Sequence, residues 1–117
     1  MFDFEKLEVY SKAKEFHFST QKFIAQSNID SSTGNQLKMA SLKIILNIAE
    51  GSGRKTNADK KNFFITARGS VFECAAIFDI LKDEELLSRE IYSSYYNTSV
   101  ELSTMLNGMI LKLERLN

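Results

Sequence analysis

The hydrophobic positions between residues 36 and 55 recur at helical spacing, but they do not keep to one side of the predicted helix. One stripe consists of residues three or four apart: Leu37, Ala40, Ile44 and Ile48. A second set points in other directions: Leu42, Ile45, Leu46 and Ala49. A helix that is apolar on most of its circumference must be covered on more than one side. The pattern therefore predicts a core helix that also contacts a second chain.

The same periodicity predicts four long helices, over residues 3–25, 32–50, 57–82 and 88–116. The chain has no proline and only five glycines, which favours a few long helices over many short strands. Short polar turns between long helices are typical of an antiparallel up-down-up-down bundle. We therefore predict an all-α four-helix bundle that forms one domain across residues 1–117, and its surplus apolar surface predicts a homo-oligomer.

Two glycine positions interrupt this pattern. Gly51 is expected to end the second helix, and the following Ser52 to Lys55 match neither common phosphate-loop spacing, so a helix end is favoured over a phosphate site. Gly69 lies in the middle of the third helix, where glycine costs about 1 kcal/mol relative to alanine. We expect a neighbouring helix to approach Gly69 closely and offset that cost.

The charges are balanced overall but unevenly distributed. Lysine and arginine together number 15, and aspartate and glutamate together also number 15. A protein dedicated to nucleic-acid binding usually carries an excess of basic residues, which this chain lacks. Residues 38–68 nevertheless carry a net charge of +5, because only Glu50 and Asp59 oppose seven basic residues. This basic strip consists of Lys38, Lys43, Arg54, Lys55, Lys60, Lys61 and Arg68. Two interpretations stay open: a phosphate-contacting surface around the turn between helices two and three, or a solvated turn.

Asn47 and Glu50 are three residues apart and share a helical face. They could form a polar cluster for a ligand or nucleic acid. The structural interpretation is favoured: both would bond to helix ends, or to Arg54 and Arg68, and fix the packing of an otherwise apolar helix.

No catalytic constellation can be assembled from the sequence. Ser70 has no base that any pattern places beside it, and the Glu50–Glu73 pair lacks the histidines of carboxylate metal sites in bundles. His17 is the only histidine, so a surface or interface role is expected for it. The sequence therefore implies no enzyme activity, metal, cofactor or small-molecule substrate.

The single cysteine, Cys74, lies among apolar residues and is expected to be a buried small hydrophobe. A lone cysteine excludes an intrachain disulfide framework and fits a reducing cytoplasm. No stretch approaches the roughly 18 uncharged apolar residues of a membrane span. We expect a cytoplasmic protein with no membrane contact.

Three stretches carry a family resemblance: FEKLEVYSKAKEF at residues 4–16, NIAEGSGR at 47–54 and ARGSVFE at 67–73. The chain thereby resembles the small bacterial four-helix bundle proteins known as 23S rRNA-intervening sequence proteins. The motif positions are Asn47, Glu50, Gly51, Gly53, Gly69, Ser70 and Glu73. The chain departs from the family pattern at Met39, where an arginine is common, and at Lys43-Ile44-Ile45, where a serine-isoleucine-proline run is common.

The resemblance implies an antiparallel bundle that assembles into a ring-like homopentamer, and it supplies no settled biochemical activity. Surplus apolar surface favours a non-enzymatic assembly or scaffold protein, in which helices two and three bury their second faces between subunits. The alternative is an accessory module that binds RNA or DNA through the basic strip.

Overall fold

The computed structural model describes residues 1–116, which form four α-helices and contain no strand. The helices are α1 (Glu8–Gln26), α2 (Ser31–Ser52), α3 (Asn57–Asp83) and α4 (Arg89–Arg115). As residue numbers rise along one helix, the numbers of the residues it contacts on its neighbour fall. The contacts are His17 with Ser41 and Ile24 with Gly34, Gln36 with Glu73 and Gly51 with Phe63, Lys61 with Glu114 and Lys82 with Tyr92, and Lys12 with Glu101 and Ser19 with Tyr95. Neighbouring helices are therefore antiparallel, and the prediction of an all-α four-helix fold is confirmed.

Polar residues in the turns begin three of the helices, as expected for side chains that accept from free amide groups. The Asp30 carboxylate accepts from the Thr33 amide at 3.2 Å. Thr56 Oγ1 accepts from the Asp59 amide at 3.1 Å, and Ser88 Oγ from the Ile91 amide at 3.2 Å. These local bonds explain why the predicted starts of α2, α3 and α4 lie within one residue of the observed ones.

The predicted start of the first helix at Asp3 is wrong. Asp3–Lys6 form a short 3-10 helix, Leu7 is extended with φ −86° and ψ 126°, and α1 begins at Glu8. The break lets Leu7 pack against the core and brings the Phe4 ring to 4.8 Å from that of Tyr10. Burial of apolar groups at this corner therefore outweighs the continuation of the helix.

One hydrophobic core joins all four helices. Its fully buried large side chains are Val9, Leu37, Ile44, Ile48, Val71, Phe78, Leu81, Leu102 and Leu106. The stacked rings of Phe78 and Tyr95, 4.0 Å apart, join α3 to α4 near its centre. Helical spacing also predicts a buried stripe on α3 at Phe64, Ala67, Val71, Ala75, Phe78 and Leu81. All of these are buried except Ala75, which is half-buried, and the α2 stripe is confirmed at Leu37, Ala40, Ile44 and Ile48.

Steps of three and four residues predict a buried seam on α4 at Ile91, Tyr95, Thr98, Leu102, Met105, Met109, Leu113 and Leu116, and this prediction is only partly correct. Tyr95, Leu102 and Leu113 are buried, whereas Ile91 and Leu116 at the ends of the seam are exposed. Ser99, Leu106 and Ile110 are buried alongside the first three. These residues lie on the side of α4 that faces α3, because α4 packs far more extensively on α3 than on α1.

His17 is buried at the contact between α1 and α2, so of the surface or interface role expected for it, the surface role is wrong. The hydroxyl of Ser41 donates to the carbonyl oxygen of Lys38 at 3.0 Å. Ser41 Oγ is then free to accept from His17 Nδ1 at 2.6 Å. The ring is held neutral there, since burial and the nearby Lys38 ammonium lower the pKa of His17.

Candidate functional site

The outward side of α3 is apolar along its length. Ile65, Phe72 and Ile80 are 45%, 56% and 54% exposed. Gly69 and Ala76, both exposed, lie between them, and steps of three and four residues put all five on one side of the helix. We call this stripe the α3 face. The second apolar side that the sequence predicts for this helix therefore faces solvent in the single chain.

A smaller apolar surface lies on α2. Met39 and Leu46 are 50% and 55% exposed, and Leu42 and Ala49 lie half-buried beside them. We call these four residues the α2 face. Leu42, Leu46 and Ala49 belong to the surplus apolar residues predicted for this helix, whereas Ile45 of that set is buried in the core. Within residues 1–116, nothing covers the α2 face completely.

An open groove of about 460 Å³ runs between α3 and α4. Its walls come from both helices: Phe72, Ala75, Tyr92, Tyr96, Val100 and Thr104. We call it the α3/α4 groove. The groove's α4 wall was not predicted from the sequence, because Tyr96 and Val100 fall outside the predicted seam of that helix. Their spacing of four residues is the signal that could have identified a second apolar side.

Gly51 and Gly69 have opposite surroundings. Helix α2 continues through Gly51 to Ser52, so Gly51 does not cap the helix as predicted. A Cβ at Gly51 would lie 2.8 Å from Phe63 Cβ and Phe64 Cε1, whereas a Cβ at Gly69 would meet nothing within 4 Å. The close approach expected at Gly69 is therefore wrong within the chain, and the close contact is at Gly51, where α3 crosses the end of α2.

The polar motif residues are used locally. Glu50 Oε1 accepts from Arg54 Nη2 at 3.0 Å, which confirms one of the partners expected for it. Asn47 Nδ2 donates to the Lys43 carbonyl oxygen at 2.8 Å, so this bond stays within α2 and does not reach a second helix. Glu73 Oε2 accepts from Gln36 Nε2 at 3.3 Å and links α3 to α2.

Ser70, the remaining motif residue, is buried on the core side of α3. The buried histidine contacts Ser41 instead, on another helix. Activation of a serine requires a neighbouring base. Ser70 therefore serves as a small packing residue on the core side of α3.

The basic residues at the α2–α3 turn are largely engaged by the chain itself. The Arg54 guanidinium pairs with Glu50 and lies 4.5 Å from the centre of the Phe63 ring. Lys60 Nζ donates to the Ser52 carbonyl oxygen at 2.9 Å and so caps the C-terminus of α2. Lys61 Nζ lies 3.9 Å from Glu114 Oε2 on α4. Lys55 is exposed at the turn.

The basic strip is not one continuous surface. Lys38 and Lys43 are five residues apart on α2, which at 3.6 residues per turn places them about 140° apart. Arg68 belongs to the α4 side of α3, since its Nη1 lies 3.5 Å from Asn107 Oδ1 and its guanidinium 5.4 Å from the centre of the Phe72 ring. The structure brings Arg54, Lys55 and Lys60 together at the turn and separates the others.

Residues 5–108 match the family of the 23S rRNA-intervening sequence protein. The chain belongs to this family. Its fold is similar to a crystal structure from Bacteroides thetaiotaomicron VPI-5482, described as a protein of unknown function from the S23 ribosomal protein family. The TM-score is 0.82 at 26% sequence identity, and the match covers 87% of this chain and 97% of that one. None of the curated proteins matches the chain.

The single cysteine, Cys74, is buried among apolar residues of the core. Burial raises the pKa of its thiol to about 12, so the reactive thiolate is scarce near neutral pH. Within residues 1–116 no three histidine, cysteine, aspartate or glutamate side chains are grouped as metal ligands would be. In the same part of the chain, no helix has the length and apolar content needed to cross a membrane.

Proposed function

We propose that this 23S rRNA-intervening sequence protein is a non-enzymatic assembly or scaffold protein that associates with copies of itself. The observation that carries the proposal is the pair of exposed apolar surfaces, the α2 face and the α3 face. Large contiguous apolar surface is unusual on a monomeric protein and marks an interaction site. We propose a ring-like homopentamer as the form of this assembly, and the family resemblance supports it.

The mechanism is burial of these faces between subunits. Transfer of apolar surface from water is the main driving force of association. Fully burying a large apolar side chain contributes about 1.5–3 kcal/mol, so a half-exposed one contributes roughly half of that. Several such residues must act together to offset the cost of association, about 4–15 kcal/mol. The proposal therefore requires an extended face rather than a single contact.

Light scattering coupled to size-exclusion chromatography tests the proposal. At micromolar concentration, the parent protein should have a mass several times the 13.3 kDa of one chain. Phe72→Glu should lower that mass, since it places a charge in the middle of the α3 face. The matched control is Phe18→Glu on α1, because Phe18 is 61% exposed but lies outside both faces.

The proposal fails if the parent protein runs as a 13.3 kDa monomer. It also fails if Phe18→Glu and Phe72→Glu reduce the mass equally, because the α3 face would then have no special role.

We propose, as a second candidate, an accessory module that binds RNA or DNA. The supporting observation is the exposure of Arg54 and Lys55 at the α2–α3 turn, within a region of net charge +5. Repetition of this turn around an oligomer would strengthen a weak contact. Lys60 and Lys61 are left out of the proposed contact, because their side chains are partly buried and contact Ser52 and Glu114, whereas Arg54 and Lys55 are exposed.

The test is the salt dependence of binding to single-stranded RNA and duplex DNA, measured by fluorescence anisotropy. Each phosphate contact contributes roughly 0.7–0.9 to the slope of log K against log salt. Replacing Arg54 and Lys55 with glutamine should flatten that slope, whereas Lys22→Gln on α1 should not. Binding that is absent, or that both variants leave unchanged, would remove this candidate.

A further inference from the structure

The α3/α4 groove has an aromatic and uncharged lining. Its floor is formed by the buried side chains of Val71, Phe78 and Tyr95. Its open part carries the rings of Phe72 and Tyr96, which are 56% and 48% exposed. Every side chain that lines the groove within residues 1–116 is uncharged. Because a charge placed against such a lining would lose its hydration without gaining a partner, the middle of the groove suits an uncharged ring system.

The size of the groove is that of a small-ligand site. Its volume of about 460 Å³ lies within the roughly 300–1,000 Å³ that is typical of ligand pockets. A fully buried aromatic side chain loses about 150–250 Å² of surface, so the half-exposed rings of Phe72 and Tyr96 each offer on the order of 100 Å². A standard protein interface needs about 800 Å² per partner. The groove by itself is therefore too small for a protein partner and large enough for a small molecule.

A cation lies at each end of the groove, and the first of them is neutralised. Lys82 Nζ lies 4.3 Å from the centre of the Tyr92 ring, at the end of the groove nearest the α3–α4 turn. The same nitrogen lies 3.0 Å from Asp79 Oδ1 and 3.9 Å from Asp83 Oδ1. Since these carboxylates balance the charge of Lys82, this end of the groove does not attract an anion.

The cation at the opposite end is Arg68, and no carboxylate balances its charge. Its guanidinium lies 5.4 Å from the centre of the Phe72 ring, and its Nη1 lies 3.5 Å from Asn107 Oδ1. None of the ion pairs formed within residues 1–116 involves Arg68. Ser103, which lines the groove, is four residues before Asn107 and therefore on the same side of α4. A guanidinium beside a hydroxyl and an amide is suited to bind an anionic oxygen.

We infer that the α3/α4 groove binds a small aromatic anion. The planar ring system of this ligand packs on Phe72 and Tyr96, and its single phosphate or carboxylate group is held by Arg68. At about 1.5 Å per residue, Tyr96 and Asn107 are about 16 Å apart along α4, which limits the length of the ligand. The inference does not rest on the proposed self-assembly, because the floor and the α4 wall of the groove lie outside the α2 face and the α3 face.

Two fluorescent probes test the charge at the Arg68 end. Anilinonaphthalene sulfonate and N-phenylnaphthylamine share one ring system, and only the first carries an anionic group. The parent protein should bind both in a fluorescence titration. Arg68→Gln should raise the Kd of the sulfonate by about 10-fold, the usual loss for a hydrogen bond to a charged group, and leave that of the neutral probe within about two-fold. Arg54→Gln is the matched control, since Arg54 also lies over a phenylalanine ring, that of Phe63, but outside the groove.

Tyr96→Ala tests the part of the groove that receives the ring system. This variant should weaken the binding of both probes alike, whereas Phe18→Ala, which removes an exposed ring on α1, should weaken neither. Val100→Glu is the second variant, to be used if circular dichroism shows that Tyr96→Ala is unfolded. Its carboxylate should weaken the sulfonate more than the neutral probe. The mass of each protein is measured by light scattering in the same buffer, so that a change of assembly and a change of probe binding are seen separately.

The outcomes decide the inference independently of the proposed function. The inference is overturned if the parent binds neither probe. It is also overturned if Arg68→Gln weakens both probes equally, because Arg68 would then only shape the groove. Displacement of the sulfonate by adenosine monophosphate supports a phosphate ligand, and displacement by naphthoate supports a carboxylate ligand. If neither displaces it, the dye binds adventitiously and the inference is overturned. A monomeric parent that binds the probes as expected would overturn the proposed self-assembly and support this inference.

Discussion

The inner side of α2 and the outward side of α3 each contain a glycine within a helix, and the two glycines serve different purposes. At Gly51 the ring of Phe64 and the Cβ of Phe63 leave no space for a side chain. At Gly69 the space is open, and the neighbours along the stripe are exposed apolar residues. A glycine within a helix therefore does not by itself predict a close contact between helices. The position of the neighbouring helix must also be known.

The two regions also differ in the contacts that each makes with other helices of the same chain. The inner side of α2 is fixed on both flanks, by Gly51 against α3 and by the bond from His17 to Ser41 against α1. The outward side of α3 has no such partners in the chain. Substitutions on the inner side should therefore change folding stability, and substitutions on the outward side should change assembly.

The largest stability effect is expected for Gly51→Ala. Overpacking at a well-packed site typically costs about 1–3 kcal/mol, and we expect a loss in that range despite the better helix propensity of alanine. Urea unfolding followed by circular dichroism measures it. Gly53→Ala is the control, because its Cβ would lie 3.7 Å from the Glu50 carbonyl oxygen, an ordinary van der Waals contact. Equal stability of the two variants would contradict the role assigned to Gly51.

The His17–Ser41 bond should make folding stability sensitive to acid. The pKa of His17 is lowered in the folded chain by burial and by Lys38, so the unfolded chain binds a proton more readily. The resulting stability is complete above the unfolded pKa of about 6.5 and is lost as the pH falls through the folded pKa. One such group changes the free energy of unfolding by at most about 1.4 kcal/mol per pH unit.

His17→Asn isolates this contribution, since asparagine keeps an N–H donor for Ser41 but does not titrate. Urea unfolding at pH values of about 7.5, 6.5 and 5.5 should show a shallower loss for the variant than for the parent. Parallel pH profiles would mean that His17 does not titrate differently on folding.

Gly69→Ala should raise the stability of the single chain by up to about 1 kcal/mol, the difference in helix propensity. The added methyl group meets nothing within 4 Å, so no packing cost opposes the gain. Urea unfolding at a protein concentration low enough for light scattering to show the single chain measures this effect without assembly. A loss of stability there would mean that the outward side of α3 is more crowded than the structure indicates.

The smallest effect is expected for Lys60→Met, which keeps the aliphatic chain but removes the bond to the Ser52 carbonyl oxygen. A hydrogen bond contributes about 0.5–1.5 kcal/mol net, and we expect a loss near the lower value because Lys60 is only half-buried. Lys55→Met is the control, since Lys55 is exposed at the same turn. Equal unfolding midpoints for the two variants would show that Lys60 does not stabilise the end of α2.

The sequence by itself determined the four helices, the core stripe of α2 and α3, and the surplus apolar residues that face outward. Helical periodicity is a local property, and caps such as Asp30, Thr56 and Ser88 act within their own turns. The same periodicity predicted an outward face on α3, and Ile65, Phe72 and Ile80 lie there.

Only the tertiary structure decided which groups meet across the bundle. His17 and Ser41 are 24 residues apart, and no local pattern pairs them. The engagement of Lys60 and Lys61 by Ser52 and Glu114 likewise depends on how the helices pack. A charge pattern fixes where lysines occur along the chain, but burial and partners in space fix which of them stay free to bind. That is why the helices could be predicted from the sequence, whereas the spatial arrangement of the basic residues could not.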